Sequence, residues 1–492
     1  MNKSYTIIVC CILSLFFIEG ISQETEIRKL LVPVYPEIKP VCDCEKLTGV
    51  SIPNTTVISA TLDVKSNSCM VTAIVNHPPA DDSVKVWIAL PLKDWNGRFE
   101  GTGGGGFLGG RPELSEPLSQ RFAAGSTNTG HEDGSGSFAL NNKRQLNWQL
   151  IQDNAYLGIH DMTVVGKELV KAFYGKPAKY SYFVGGSTGG RQGLSEAQRF
   201  PGDYNGILSF YPAINWHRFL VADLWPQVVM HELNNYIPAP KFEAINKAII
   251  EDVDAKDGYS DGVIENALDL KYDPKILIGK MIGGSIFTDT DAEVISKIWE
   301  GPRSMDGQFL WYGLVPGTVF FALANTQGDP LTGKPFGIAA EYVRYYLKSD
   351  PDWQGTSISM KEFQLLWNQS VEQYGSVLGT DNPNLKPFNN NGGKILIIHG
   401  MNDNQIYAQG SVNYYKRVQE IMGGEKTTCE FARLFLIPGM DHNYRNPALK
   451  PIDHFESLIN WVEYKVAPEK IKVEHRDKSG TITRTAYYNF WK

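Results

Sequence analysis

Two blocks of alternating strand and helix patterns, separated by a long interruption, constrain this chain more than any other feature. In the first block residues 154–175 contain a helix, 180–184 read as a buried strand, 189–200 as a helix and 206–210 as a strand. In the second, 394–399 and 431–437 read as strands, and 410–421 and 453–465 as helices. Upstream, 57–71 and 84–90 also read as strands. This alternation predicts an α/β fold, a mostly parallel sheet with helices on both faces, because each parallel connection must cross over the sheet. Residues 215–387 lose the rhythm and carry Trp216, Trp225, Trp299, Trp311, Tyr312, Phe320, Phe321 and Trp353. An inserted lid is the simplest account, with most of these aromatics in a second core and a few facing a cleft. The expected organisation is a leader at 1–22, sheet-forming parts at 23–214 and 388–492, and a lid at 215–387.

The leader carries Lys3, an apolar run over residues 6–17 and small residues near Gly20. The apolar run is shorter than the ~20 residues a membrane span needs, so it reads as a cleaved secretory signal, implying a secreted or periplasmic protein with no membrane association afterwards. Its removal leaves Cys42, Cys44, Cys69 and Cys429 in a compartment that permits disulfides. Three pairings are possible, although Cys42 and Cys44 sit too close in an extended strand to bond readily to each other. The net charge of −7 argues against a general nucleic-acid binder, since no basic surplus exists to neutralise phosphates. Oligomeric state is not readable.

Gly185-Gly186-Ser187-Thr188-Gly189 stands between the predicted strand at 180–184 and the helix that follows. A serine on such a sharp turn is exposed at the carboxyl end of the sheet, and this context makes Ser187 the candidate nucleophile. It needs a base and an acid, which follow in the order Ser, acid, His on this architecture. Gly400-Met401-Asn402-Asp403 offers Asp403 after one strand, and Pro438-Gly439-Met440-Asp441-His442 offers His442 after the next. Asp441 is the rival acid, but adjacent side chains rarely orient each other. His454 falls in a helix pattern, His475 in a charged tail segment, and His399 and His160 read as structural. The run Gly101 to Gly106 contains G-x-G-x-x-G, yet it continues as a loop instead of opening a helix, so a dinucleotide site is discounted. Its backbone N–H groups suit an oxyanion, together with that of Thr188. The acidic run Asp254 to Val263 does not have EF-hand spacing and on composition alone reads as a solvated turn.

With these residues placed, the chain resembles the tannase and feruloyl esterase family, which includes mono(2-hydroxyethyl) terephthalate hydrolase. The resemblance covers almost the whole mature chain. It rests on Trp95-Asn96-Gly97-Arg98-Phe99 with the glycine loop, on Gly186-Ser187-Thr188-Gly189-Gly190-Arg191-Gln192, on His399-Gly400-Met401-Asn402-Asp403, and on Pro438 to His442. It implies an α/β-hydrolase fold with a large lid, a Ser187, Asp403 and His442 triad, and oxyanion donors at Thr188 and a glycine near Gly104. It also implies a structural Ca2+ held by Asp254, Asp257 and Asp261 side chains and the Tyr259 and Val263 carbonyls, no organic cofactor, and a Cys44–Cys69 disulfide. Family members typically carry bonded cysteines beside the catalytic serine and histidine. This chain has Gly186 and Asn443 there, and Val253 replaces the cysteine ahead of the calcium loop. The expected activity is that of a serine carboxylesterase acting on small esters of aromatic acids; a terephthalate half-ester hydrolase, a peptidase and a non-catalytic binder of phenolic ligands are the alternatives.

Overall fold

The computed structural model describes residues 32–257, 260–442, 449–477 and 479–492, so the leader at 1–22 lies outside the described residues. Nine strands form the main sheet: β1 (Thr55–Asp63), β2 (Ser68–Val75), β3 (Val84–Pro91), β4 (Arg98–Thr102), β5 (Ala123–Thr127), β6 (Tyr180–Gly186), β7 (Gly206–Phe210), β8 (Lys394–Gly400) and β9 (Ala432–Ile437). Their order is β1-β2-β3-β5-β4-β6-β7-β8-β9. The six from β5 to β9 in that order run parallel, while β1, β2 and β3 join antiparallel. β9 is buried along its whole length and β7 along all but its last residue, as expected of strands covered on both faces. The expected single strand at 57–71 is instead the hairpin β1–β2, because Lys65-Ser66-Asn67 supplies a turn: Asp63 accepts from Ser66 Oγ and the Lys65 N–H, and Asn67 takes positive φ.

Helices α1 (Gly158–Tyr174), α2 (Thr188–Arg199) and α3 (Ala408–Met422) cover the sheet close to where their sequence patterns place them. Among the described residues three helical stretches contain π-helical turns, at Asp153–Leu157 before α1, at Tyr342–Leu347 after the helix Gly337–Glu341, and at Asn460–Tyr464 after the helix His454–Ile459. The Trp95-to-Phe99 motif is structural. Trp95 stacks on Tyr174 with ring centroids 4.0 Å apart and donates to the Arg98 carbonyl. The Arg98 guanidinium makes a buried bidentate pair with Glu463, both bonds 2.7 Å, and Tyr182 donates to the same carboxylate. This fork ties the start of β4 to the end of the chain's last helical segment.

Residues between β7 and β8 add no strand to the nine-stranded sheet. Their buried side chains, among them Trp216, Trp225, Trp311 and Phe320, form one apolar cluster that extends onto Phe107, Phe138 and Tyr407 of the sheet-forming parts. The large insertion therefore packs down on the carboxyl end of the sheet as a lid. Cys44 and Cys69 form a disulfide across 25 residues; Cys42 and Cys429 are not in a disulfide. Among the described residues, no helix is long and apolar enough to cross a membrane.

Candidate active site

Ser187 sits between β6 and α2 with φ 57° and ψ −121°, a left-handed conformation that a residue with a Cβ adopts only under strain. The surrounding glycines make the turn possible by allowing close approach. A Cβ at Gly185 would lie 2.5 Å from the Gly189 backbone, and one at Gly190 2.6 Å from the Phe210 carbonyl. Backbone bonds hold the elbow, from the Ser187 N–H to the Phe210 carbonyl and from the Ala213 N–H to the Ser187 carbonyl, each 3.0 Å.

Three residues distant in sequence meet at this turn. His442 Nε2 lies 3.1 Å from Ser187 Oγ, and His442 Nδ1 lies 2.9 Å from Asp403 Oδ2 and 3.1 Å from Oδ1. Asp403 is buried and accepts the N–H groups of Gln405 and Ile406 at 2.9 and 2.8 Å. Burial pushes its carboxyl up, but the His442 charge and hydrogen bonds from His399 and His442 outweigh this and hold it well below the usual carboxylate range. It is Asp403, not Asp441, that lies against Nδ1.

The other histidines fall elsewhere. His454 is half-buried, packs edge-on against Phe210 and is pushed down to about 4 by desolvation of its ring. His475 meets Thr483 Oγ1, and His160 meets Asp203. His399 is more closely involved than its structural reading suggested. Its Nε2 lies 3.3 Å from Asp403 Oδ2 and 2.9 Å from the Ile406 carbonyl, while Nδ1 meets Ser411 Oγ.

One expected oxyanion donor is corrected. The Gly104 N–H donates to Gln192 Oε1 at 3.0 Å and its carbonyl accepts from Gly189, so Gly104 is committed to holding the glycine loop onto α2. The loop residue that lines the cavity with Ser187 and Thr188 is Gly106, whose carbonyl accepts from Thr188 Oγ1 at 2.6 Å.

A tannase and feruloyl esterase family profile matches residues 69–491. A probable feruloyl esterase from Arthroderma benhamiae is 37% identical over 448 residues, covering 88% of this chain and 82% of the relative. The chain belongs to the tannase and feruloyl esterase family. Feruloyl esterase B from Aspergillus niger is 28% identical over 455 residues, covering 87% and 83% of the two chains. Two solved structures share the α/β-hydrolase architecture. Feruloyl esterase B from Aspergillus oryzae has a TM-score of 0.78 at 24% identity over 91% of this chain and 95% of its own. Tannin acyl hydrolase from Aspergillus niger has 0.79 at 23% over 95% and 91%. This member is accordingly a carboxylic ester hydrolase of the tannase and feruloyl esterase type.

Against that background Gly186 acquires a physical partner. A Cβ there would lie 2.8 Å from Tyr211 Oη and 2.9 Å from its ring, so Tyr211 fills the space a cysteine side chain would need. The same ring packs edge-on against His442, centroids 4.8 Å apart. Asn443 lies outside the described residues. The cavity at the serine is bounded by Trp216, Phe219, Leu220, Phe336, Ile338 and Ile406, none of which sequence patterning distinguished from core residues. It holds about 20 Å³, room for little more than one water.

Of the expected calcium ligands, Tyr259 lies outside the described residues, as does the side chain of Asp257. Asp254 Oδ1 accepts the Gly262 N–H at 3.0 Å, and Asp261 Oδ1 accepts the Val263 N–H at 3.1 Å. Their carboxylates and the Val263 carbonyl are hard oxygen donors that fit Ca2+. Asp261 Oδ2 also pairs with Arg484 at 2.8 Å. Val263 is buried against Gly439, and Asn402 Oδ1 accepts the Gly439 N–H, so this loop abuts the turn that carries His442.

Proposed function

We propose that this protein is a secreted serine carboxylesterase that hydrolyses esters of aromatic phenolic acids through an acyl-enzyme on Ser187. The chain of contacts Ser187 Oγ, His442 and Asp403, at 3.1 and 2.9 Å, carries the reading. Ionised Asp403 accepts the His442 Nδ1–H and so presents the Nε2 lone pair to the serine hydroxyl. His442 takes the proton as Oγ attacks the ester carbonyl, then returns it to the departing alcohol. A water activated by the same nitrogen releases the acid and restores the serine. The developing oxyanion is met by the Thr188 N–H, with the second donor drawn from Gly105 or Gly106 instead of Gly104. Asp254, Asp257, Tyr259, Asp261 and Val263 would hold a calcium ion, which would serve as structural bracing of the lid loop against the histidine turn.

The aromatic acyl group is supported by the relatives named as feruloyl esterases and by the aromatic walls of the cavity, and secretion by the apolar leader. Ser187→Ala and Asp403→Asn should each lower kcat by at least about 10³-fold with circular dichroism unchanged. A fluorophosphonate should label wild type and not Ser187→Ala. A fully active Ser187→Ala enzyme would sink the mechanism. A panel of methyl ferulate, methyl gallate and a terephthalate half-ester assigns the acid, and failure on all three would refute the aromatic-acyl reading.

A further inference from the structure

Away from the serine, four titratable side chains meet where the turn between β2 and β3 touches the start of α1. His77 Nδ1 lies 2.6 Å from Asp82 Oδ2 and 3.7 Å from Asp153 Oδ1, and His77 Nε2 lies 3.2 Å from Asp161 Oδ2. The donor atoms of His77, Asp82 and Asp153 all fall within 4.8 Å of one another. Asp153 is 0% exposed and its Oδ2 has no hydrogen-bond partner. Leaving such an oxygen unpaired is costly, and three carboxylates around one imidazole hold more negative charge than the ring can balance.

The geometry points to a divalent-cation site of zinc type at His77 Nδ1, Asp82 and Asp153, with Asp161 holding the other ring nitrogen. An imidazole with two carboxylates suits zinc, whereas the all-oxygen lid loop suits calcium. A metal-bound histidine usually donates its second N–H to a carboxylate, and Asp161 stands at that place. With metal–ligand bonds of about 2.0–2.2 Å, tetrahedral ligand atoms stand about 3.3–3.6 Å apart. The Nδ1 to Asp153 spacing is already close to this, and Asp82 must retreat by about 1 Å. Asp82 is pre-set by accepting the His77 N–H on Oδ1, and Asp153 by accepting from Gln149, each at 2.8 Å. The His77 side chain is 22% exposed, which leaves a path for the ion and a water as fourth ligand. A second cluster, His160, Glu196 and Asp203, has similar donors, but Lys167 pairs with Asp203 and already supplies a cation there.

Such an ion would brace the active site from behind. Asp153 opens the π-helical turn whose Asn154 donates to the Phe107 carbonyl of the glycine loop at 2.9 Å. Arg191, on the nucleophile helix, donates to the Asn154 and Ala155 carbonyls of the same turn.

The test uses the full chain, stripped with a chelator, returned to saturating Ca2+ and titrated with Zn2+ by calorimetry and thermal unfolding. One zinc per chain should bind, with a saturating rise in Tm. His77→Gln and Asp153→Asn should lose both responses, while Asp254→Ala keeps them because its change lies in the lid loop. Metal-free Asp153→Asn should melt no lower than metal-free wild type, since it removes a buried charge, so its loss of response is not a folding defect. A wild-type Tm indifferent to zinc, or a zinc response that survives in both Asp153→Asn and His77→Gln, overturns the proposal.

Discussion

At residue scale Tyr211 links the nucleophile elbow to the catalytic base. Its ring occupies the space beside Gly186 and rests edge-on against His442, so one aromatic side chain touches both the elbow and the base. Aromatic contacts of this kind contribute about 0.5–1.5 kcal/mol, equivalent to a rate effect of roughly 2- to 12-fold if they are needed to hold the base in line. Tyr211→Ala should lower kcat by about that factor with little change in KM, and Tyr211→Phe should restore most of it. An unchanged kcat in Tyr211→Ala would show that Asp403 and the loop hold His442 unaided. Gly186 was readable as an elbow glycine, but its partner was not, because the contact depends on where the chain turns after β7.

At the scale of elements, the segment Phe336 to Ile338, leading into the short helix Gly337–Glu341, closes over the serine. A Cβ at Gly106 would be 3.4 Å from Ile338 Cδ1, so the lid rests directly on the glycine loop. A cavity of about 20 Å³ cannot hold an aromatic acid, whose binding needs a few hundred Å³, so this segment must give way for substrate to enter. Ile338→Ala should raise kcat/KM for methyl ferulate by about three- to tenfold relative to p-nitrophenyl acetate, because the larger acyl group is the one obstructed. Equal changes for both esters would place the obstruction elsewhere. Periodicity marked residues 215–387 as an interruption of the sheet, but it could not tell a lining aromatic from a core one. Trp216 and Trp225 are both buried, and only Trp216 reaches the cavity.

For the whole molecule, two stability responses follow from groups outside the triad. Reduction opens the Cys44–Cys69 bridge, whose 25-residue loop is worth roughly 3.5 kcal/mol in a chain-entropy account. Tm should fall on reduction while turnover under native conditions stays within about twofold, since no disulfide among the described residues touches the site. Loss of activity on mild reduction would contradict this. Glu100, buried in β4, is pushed up to about 8 by burial and then by Glu116. Its folded-state pKa lies above the unfolded value, so the folded chain binds more protons and stability declines as pH rises from about 4.5 to 8. Glu100→Gln should flatten that decline by up to about 1.4 kcal/mol per pH unit in denaturant unfolding. An unchanged slope would mean that the carboxyl is solvated in the native state. Asp403 acts in the opposite sense, because its depressed pKa gives stability that is present above the unfolded carboxylate value and is lost only as pH falls through the lower folded one.

Sequence alone determined the α/β alternation, the elbow at Ser187 and the order of Asp403 and His442 at successive strand ends. Those features are local patterns repeated along the chain, and strand periodicity or a turn's glycine requirement writes them into consecutive residues. Tertiary structure decided that Gln192 takes the Gly104 N–H, that Tyr211 fills the space beside Gly186, that His399 leans on Asp403, and that Ile338 seals the cavity. Each is a contact between segments that only the folded sheet and lid bring together, and van der Waals contact and hydrogen-bond direction leave no periodic trace in the sequence.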